Sequence, residues 1–303
     1  MLRTETVREI LRWYEGETPG LKSNLSRLLM HGRLAGTGRV VILPVDQGFE
    51  HGPARSFAPN PAAYDPHYLY ELAIESGVSG YAAPLGLLEQ GADTFAGEVP
   101  LILKLNSGNS LAAGAGDQAL TGTVEDALRL GCVGVGFTIY PGSDHAYAML
   151  EELREITLQA RSRGLMTVVW SYPRGGKVTK QGETGLDIIA YAAHMAALSG
   201  ATIIKVKLPT DYIDLADARS TYDKFPVGPS QADRVRHIMQ ASFAGKRIVV
   251  FSGGAAKNTT ELLDEVRAIR DGGGNGSIIG RNSFQRSRED ALKLLAEVMD
   301  IYA

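Results

Sequence analysis

The apolar positions of this chain fall into short runs. Val40–Val45, Gly80–Ala83, Leu101–Leu105, Cys132–Ile139, Met166–Trp170, Thr202–Val206, Arg247–Phe251 and Ser277–Ile279 are brief, apolar and rich in β-branched residues. Strands covered on both faces read this way. Between most of these runs, apolar residues recur at helical spacing instead. The helical segments are Tyr68–Ser76, Val124–Leu130, Ala146–Arg163, Leu186–Leu198, Ala232–Ala244 and Thr259–Asp271. Eight strand–helix units, with strand starts roughly 20–45 residues apart, predict a parallel sheet, and eight is the number that closes a (β/α)8 TIM barrel. A doubly wound open sheet is the competing architecture. It would carry Gly-x-Gly-x-x-Gly after its first strand. The first strand here runs instead into Pro44-Val45-Asp46-Gln47-Gly48, so the barrel is expected.

Residues 4–35 have a helical period marked by Leu11 and Tyr14, with a break at Pro19-Gly20. Asn24 or Ser26 is expected to cap a second helix running toward Leu34, and Gly36 and Gly38 to end it. The reading is an N-terminal helical extension over 1–38 and a barrel domain over 39–303. Residues 1–31 either cover a subunit interface or pad the bottom of the barrel. Two loops exceed what a strand–helix connection needs, Asn106–Thr121 and Asp211–Gln231. Both leave the C-terminal mouth, as lids or as surplus surface.

Composition narrows the function classes. The 303 residues are 44 % hydrophobic with a net charge of −3. That suits a large soluble core and lacks the basic stripe of a nucleic-acid-binding protein. No apolar run approaches the ~20 residues that span a bilayer, and Met1-Leu2-Arg3-Thr4-Glu5 opens no signal peptide. The single cysteine, Cys132, reads as a small buried hydrophobe in a cytoplasmic protein. The six histidines show no metal-ligand spacing, so no metal is expected. His194 reads as a packing residue, and His51 as one that lines the mouth.

In a barrel the chemistry sits at strand C-terminal ends. Those ends offer Asp46; Lys104 with Asn106 just beyond; Trp170, Tyr172 and Arg174; Lys205 and Lys207; Ser252-Gly253-Gly254; and Gly280-Arg281-Asn282. Lys205 and Lys207 share one face of their strand, because side chains alternate. A buried ammonium is costly unless paired or neutralised. A lysine whose pKa is pushed down is a nucleophilic amine fit for a Schiff base with a carbonyl substrate. Spacing does not choose between the two lysines. The glycines after the seventh and eighth strands, with Arg281, suit a phosphate. Asp46 is placed to orient the amine or move protons, and Tyr172 to exchange a proton in C–C cleavage.

These residues resemble a known family. Leu43-Pro44-Val45-Asp46-Gln47-Gly48-Phe49-Glu50-His51-Gly52 resembles the first-strand motif of archaeal-type (DhnA-type) class I fructose-bisphosphate aldolases. Trp170-Ser171-Tyr172-Pro173-Arg174-Gly175 resembles the fifth-strand motif, and Ile203-Ile204-Lys205-Val206-Lys207 the Schiff-base strand. Ser252-Gly253-Gly254 and Gly280-Arg281 resemble the phosphate loops. The match runs in motif order from about Gly32 to the C-terminus, and the N-terminal portion is closer to the bacterial branch.

The resemblance implies a TIM barrel that uses no metal or cofactor and cleaves fructose 1,6-bisphosphate reversibly through a lysine Schiff base. By motif it makes Lys205 the Schiff-base lysine, Tyr172 the proton-transfer residue and Asp46 an active-site carboxylate. Ser252, Gly253, Gly254, Gly280 and Arg281 would hold one phosphate, and Arg174 or Lys104 would meet the other. Lys207 would bind phosphate or set the field, and Trp170 would line the substrate. The family also implies homo-oligomers, often pentamer-based decamers. Relatives within it use an equivalent lysine for a transaldolase-like step or for coenzyme A-dependent acetyl transfer from a phosphorylated dione. A non-catalytic sugar-phosphate binder is the remaining alternative.

Overall fold

The computed structural model describes residues 2–112, 116–252 and 258–303. Eight parallel strands close into a barrel. They are β1 (Val40–Pro44), β2 (Gly80–Pro84), β3 (Leu101–Lys104), β4 (Gly134–Ile139), β5 (Met166–Ser171), β6 (Ile203–Lys207), β7 (Ile248–Ser252) and β8 (Gly276–Ile278). Each pairs with its neighbours in sequence, and β8 closes on β1 through Val40↔Gly276 and Ile42↔Ile278. The eight-stranded closure expected from the run spacing is therefore found.

Two helices precede the barrel, α1 (Glu5–Arg12) and α2 (Pro19–Leu29). The expected break at Pro19-Gly20 is in fact where α2 begins. Thr18 caps that helix by accepting from the Leu21 N–H, and Pro19 takes the first turn, where a missing N–H costs nothing. Asn24 and Ser26 therefore lie inside the helix, and Asn24 donates instead to the Gly164 carbonyl at 2.8 Å. The barrel strands then alternate with α3 (Gln47–His51), α4 (Pro53–Phe57), α5 (Pro66–Ser76), α6 (Leu85–Glu89), α7 (Val124–Arg129), α8 (Ala146–Ser162) and α9 (Leu186–Leu198). The series continues with α10 (Ala216–Lys224), α11 (Gln231–Ala241), α12 (Thr259–Asp271), α13 (Arg281–Phe284) and α14 (Arg288–Tyr302).

The strand period sorts side chains into two cores. Outward residues such as Leu103, Val135, Val169, Ile204 and Phe251 pack under the helical ring. Inward residues Val40, Ile42, Ile102, Val168, Ile203 and Val250 form a second core with Val7, Ile10, Leu21, Leu25 and Leu28. Thus α1 and α2 close the lower end of the barrel with apolar side chains. Tyr14 joins them: its hydroxyl donates to the Thr202 carbonyl at 2.6 Å and accepts from the Ile248 N–H at 3.2 Å. Higher in the barrel Trp170 fills the interior, 2 % exposed. Gly136 on the neighbouring strand makes room for it, since a Cβ there would lie 2.5 Å from the indole ring.

Both long loops hold more structure than expected. The segment after β3 forms a two-stranded ribbon, Asn106–Ser107 against Ala119–Leu120. Ser110 ties it to α3 after β1, its hydroxyl donating to the Glu50 carbonyl at 2.6 Å. The segment after β6 carries α10. No helix among the described residues is long and apolar enough to cross a membrane.

Candidate active site

The C-terminal ends of the strands surround a cleft of about 140 Å³, open to solvent. Asp46, Lys104, Trp170, Tyr172, Arg174, Lys205, Lys207, Ser252, Gly280 and Arg281 all line it. Gly253 and Gly254 lie outside the described residues. Strand register brings the others together: Trp170 is level with Lys205, and Lys207 with Ser252.

Lys205 is the deepest amine on β6, 4 % exposed. Among the described residues its Nζ makes no hydrogen bond, and it lies 4.1 Å from the centroid of the Tyr172 ring. Burial pushes its pKa down to about 7. The carboxylates of Asp46 and Glu50 oppose that shift, and the ammonium groups of Lys207 and Lys104 add to it. At pH 7 roughly half of Lys205 is then the free amine, against roughly one part in 2,500 for an ordinary lysine.

Lys104 is also buried, and burial lowers its pKa to about 8 against the pull of Asp46 and Glu50. It is tied down, however. Its ammonium donates to the backbone carbonyl and, at 3.0 Å, to Oδ1 of Asn106. Asn106 is held in turn by β4, accepting from the Thr138 N–H at 2.7 Å and donating to the Thr138 carbonyl at 2.8 Å. This lysine has its donors engaged in the floor, whereas the Lys205 amine is open.

Lys207 stands two residues further up the same face. It is paired with Glu183 at 3.1 Å and retains 22 % side-chain exposure. Burial lowers its pKa, Glu183 opposes, and the charges of Arg174 and Lys180 add to the lowering. Arg174 lies over the rings of Tyr140 and Tyr172 at 5.2 and 5.4 Å and touches Glu50 at 3.5 Å. On the opposite rim Gly280 lets the chain pass close to β1. A Cβ there would sit 2.9 Å from the Pro44 carbonyl oxygen. Arg281 follows it, and its charge, with those of Arg55 and Arg174, joins burial in lowering the pKa of His51, which Glu50 opposes.

His51 lines the cleft as expected, while His194 packs at the periphery with Nδ1 on the Ala241 carbonyl at 2.7 Å. Among the described residues no group of three His, Cys, Asp or Glu side chains could hold a metal ion. The strand-end reading did not single out Glu50, Tyr140, Gln118 or Glu183. Glu50 sits on α3, in a stretch where only the motif is informative. Gln118 arrives on the ribbon and donates to the Tyr140 hydroxyl at 2.7 Å. Glu183 comes from an aperiodic loop that no spacing rule marks.

An open amine of near-neutral pKa, a phenol beside it and cations around the rim can attack a carbonyl, move a proton and hold an anionic substrate. Known proteins carry the same arrangement of sequence. The DeoC/LacD family aldolase pattern matches residues 40–286. The class 1 fructose-bisphosphate aldolase of Thermoproteus tenax is 39 % identical over 265 residues, covering 87 % of this chain and 89 % of that protein. A probable class 1 fructose-bisphosphate aldolase of Chlamydia muridarum is 35 % identical over 291 residues, covering 92 % of this chain and 83 % of that one. In three dimensions the chain superposes on an archaeal fructose-1,6-bisphosphate aldolase whose catalytic lysine is covalently bound to the carbinolamine intermediate of the substrate. The TM-score is 0.77 at 35 % identity, covering 92 % of this chain and 99 % of that one.

Proposed function

The chain belongs to the DeoC/LacD family of aldolases, and from that premise we infer the part each cleft residue plays. It is a class I fructose-bisphosphate aldolase, metal-independent and working through a lysine Schiff base. The reaction is the reversible cleavage of fructose 1,6-bisphosphate to dihydroxyacetone phosphate and glyceraldehyde 3-phosphate. The observation that carries the site assignment is the buried amine of Lys205 beside the Tyr172 ring, unbonded among the described residues.

In this assignment the neutral Lys205 amine adds to the C2 ketone and gives a carbinolamine. Loss of water leaves an iminium. Tyr172, with Asp46 as its relay partner, takes the C4 hydroxyl proton. The C3–C4 electron pair flows into the iminium, releasing glyceraldehyde 3-phosphate and leaving an enamine. Protonation at C3 and hydrolysis return dihydroxyacetone phosphate and the free amine. Arg281 and Ser252 hold one phosphate, with Gly280 giving the backbone access. Arg174 and Lys207 meet the other, and Lys104 supports the field from the floor. Anchoring both phosphates orients the reacting bond and lets remote binding energy lower the barrier.

The assignment is tested by incubation with fructose 1,6-bisphosphate in EDTA, reduction with borohydride and peptide mass mapping. A triose-phosphate adduct on Lys205 is the expected result, with cleavage undiminished by the chelator. An adduct on Lys207 would overturn the assignment but keep the chemistry. No adduct and no cleavage would favour the transaldolase-like or coenzyme A-dependent reactions of related enzymes. We further place the protein in the cytoplasm as a homo-oligomer, which light scattering of the purified chain would measure.

A further inference from the structure

Lys207 faces the cleft with a partner. Its ammonium lies 3.1 Å from Glu183 Oε2, and the Glu183 side chain is 14 % exposed. Burial pushes the Glu183 carboxyl up, but Lys180 and Lys207 outweigh it and hold the group below its usual value. Exposed ion pairs contribute little, yet this one is mostly shielded from water, on the cleft wall.

The support under Glu183 is extensive. It stands in the turn Gly182–Thr184 after β5, and that turn is laced to the loop after β6. The Thr179 N–H and hydroxyl both donate to Asp214, and the Gly182 N–H donates to the Thr179 hydroxyl at 2.9 Å. The Thr210 N–H donates to the Thr184 carbonyl at 2.7 Å, and the Leu186 N–H to the Tyr212 carbonyl at 2.8 Å. Buried Asp187 accepts from the N–H groups of Asp214 and Leu215 at 3.1 and 2.8 Å. A carboxylate on this footing has little freedom to drift.

Charged groups converge on the two β6 amines from several elements. Lys205 meets Asp46 after β1, Glu50 on α3, Lys104 on β3 and Lys207 on its own strand, besides the Tyr172 ring. Lys207 meets Glu183 and Lys180 from the β5 loop and Arg174 beyond the end of β5. The place where the Lys207 ammonium sits therefore sets part of the field on Lys205. Without the Glu183 carboxylate the Lys207 charge would stand uncompensated, and its side chain would spread over many rotamers.

We propose that Glu183 is a positioning residue for the aldolase reaction, fixing the Lys207 ammonium against the cleft wall at a constant distance from the Lys205 amine and the incoming bisphosphate. The inference rests on the aldolase reading of the site. Glu183 touches no reacting atom; it acts through Lys207.

The test is the acid limb of the kcat/KM pH profile for Glu183→Gln, Glu183→Asp, Lys207→Met and the double variant, with Tm measured alongside. Comparison with the unsubstituted enzyme cancels the titration of the substrate phosphates. Glu183→Gln leaves the Lys207 charge uncompensated beside the cleft, so the limb should move down by roughly half a pH unit. Lys207→Met removes the cation and leaves the carboxylate, so the limb should move up, and the double variant, which lacks both charges, should fall between the two. Glu183→Asp keeps the charge and should move the limb less than Glu183→Gln. An unmoved limb in Glu183→Gln overturns the inference, as does a double variant whose limb lies outside those of the two single variants. Should Glu183→Gln fail to fold, Lys207→Met still decides, because an unmoved limb there removes the field on which the proposal depends. If the unsubstituted enzyme forms no adduct on Lys205, the site assignment itself falls, and this inference with it.

Discussion

The two ends of the barrel interior share one inward-facing register and hold opposite chemistry. At the lower end β6 presents Ile203, β5 presents Val168 and β3 presents Ile102, all against the apolar faces of α1 and α2. Two residues further along the same strands, the same face presents Lys205, Trp170 and Lys104. One more step gives Lys207 and Tyr172 at the cleft. Each step is roughly 6.6 Å of strand. The lower layer is dry and satisfied, and the layer above is nearly as buried yet carries two ammonium groups. An amine becomes nucleophilic there because the interior penalises its charged form, and the apolar plug below offsets that penalty with packing. Stability and reactivity are thus segregated by height within one interior.

Replacing Lys205 breaks this contrast most completely, since Met would extend the apolar layer upward. Activity should fall roughly ten-thousand-fold or more, because no other open amine among the described residues stands at that depth. Stability should rise at the same time. The pKa of Lys205 is lowered from 10.5 to about 7, so below pH 7 the folded state holds a buried charge that the unfolded chain solvates. Between about pH 7 and 10.5 the unfolded chain binds more protons than the folded one, and the unsubstituted enzyme gains stability as pH rises. Lys205→Met should therefore raise Tm at pH 6 by roughly 2–6 °C, from about 1–4 kcal/mol. The advantage should shrink toward pH 10. Calorimetry across that range decides the matter, and a destabilised Lys205→Met at pH 6 would contradict the charge-burial account.

Tyr172→Phe sharpens the comparison within the upper layer. It keeps the ring over the Lys205 ammonium and removes only the hydroxyl. If Tyr172 carries the C4 proton, cleavage should fall by roughly a hundred- to a thousand-fold. The borohydride adduct on Lys205 should still form, since borohydride reduces the iminium and the carbinolamine hydroxyl can leave as water with a proton drawn from solvent in the open cleft. Stopped-flow measurement of adduct formation separates the two steps. Equal loss in both would make Tyr172 a packing residue for the lysine.

The sequence reveals the upper layer better than the lower one. Period-two alternation on an apolar strand marks Lys205 and Lys207 as sharing a face, and strand-end position marks Asp46, Lys104, Tyr172 and Arg174. A lysine inside an apolar run is visible because it breaks the pattern. What the pattern does not carry is depth and partnership. Lys104 and Lys205 look equivalent along the chain, and only the Asn106 amide, bound across to Thr138, distinguishes the tied amine from the open one. Glu183 reaches Lys207 from 24 residues away through an aperiodic turn. The lower plug is ambiguous along the chain for a related reason. An amphipathic N-terminal helix has a buried face, but sequence does not say whether that face meets the barrel or another chain. Pro19 interrupts the helical period along the chain, whereas Thr18 before it makes it a start.

The smallest effect belongs to the lower end and is the cleanest check that the ends are separate. Tyr14 is buried at 1 % exposure. Its hydroxyl bridges the entry of β6, through the Thr202 carbonyl, and that of β7, through the Ile248 N–H. Tyr14→Phe leaves both backbone groups short of a partner in a dry layer, at a cost of about 1–2 kcal/mol. It lies on the far side of the apolar layer from Lys205, so it should lower Tm by roughly 2–3 °C while the pH profile keeps its position. Denaturation and the kcat/KM profile are measured on the same preparation. If the acid limb shifts with Tyr14→Phe, strain at the strand entries reaches the amine two residues above Ile203, and the plug would then help set the reactivity that the charged groups around the cleft are taken to control.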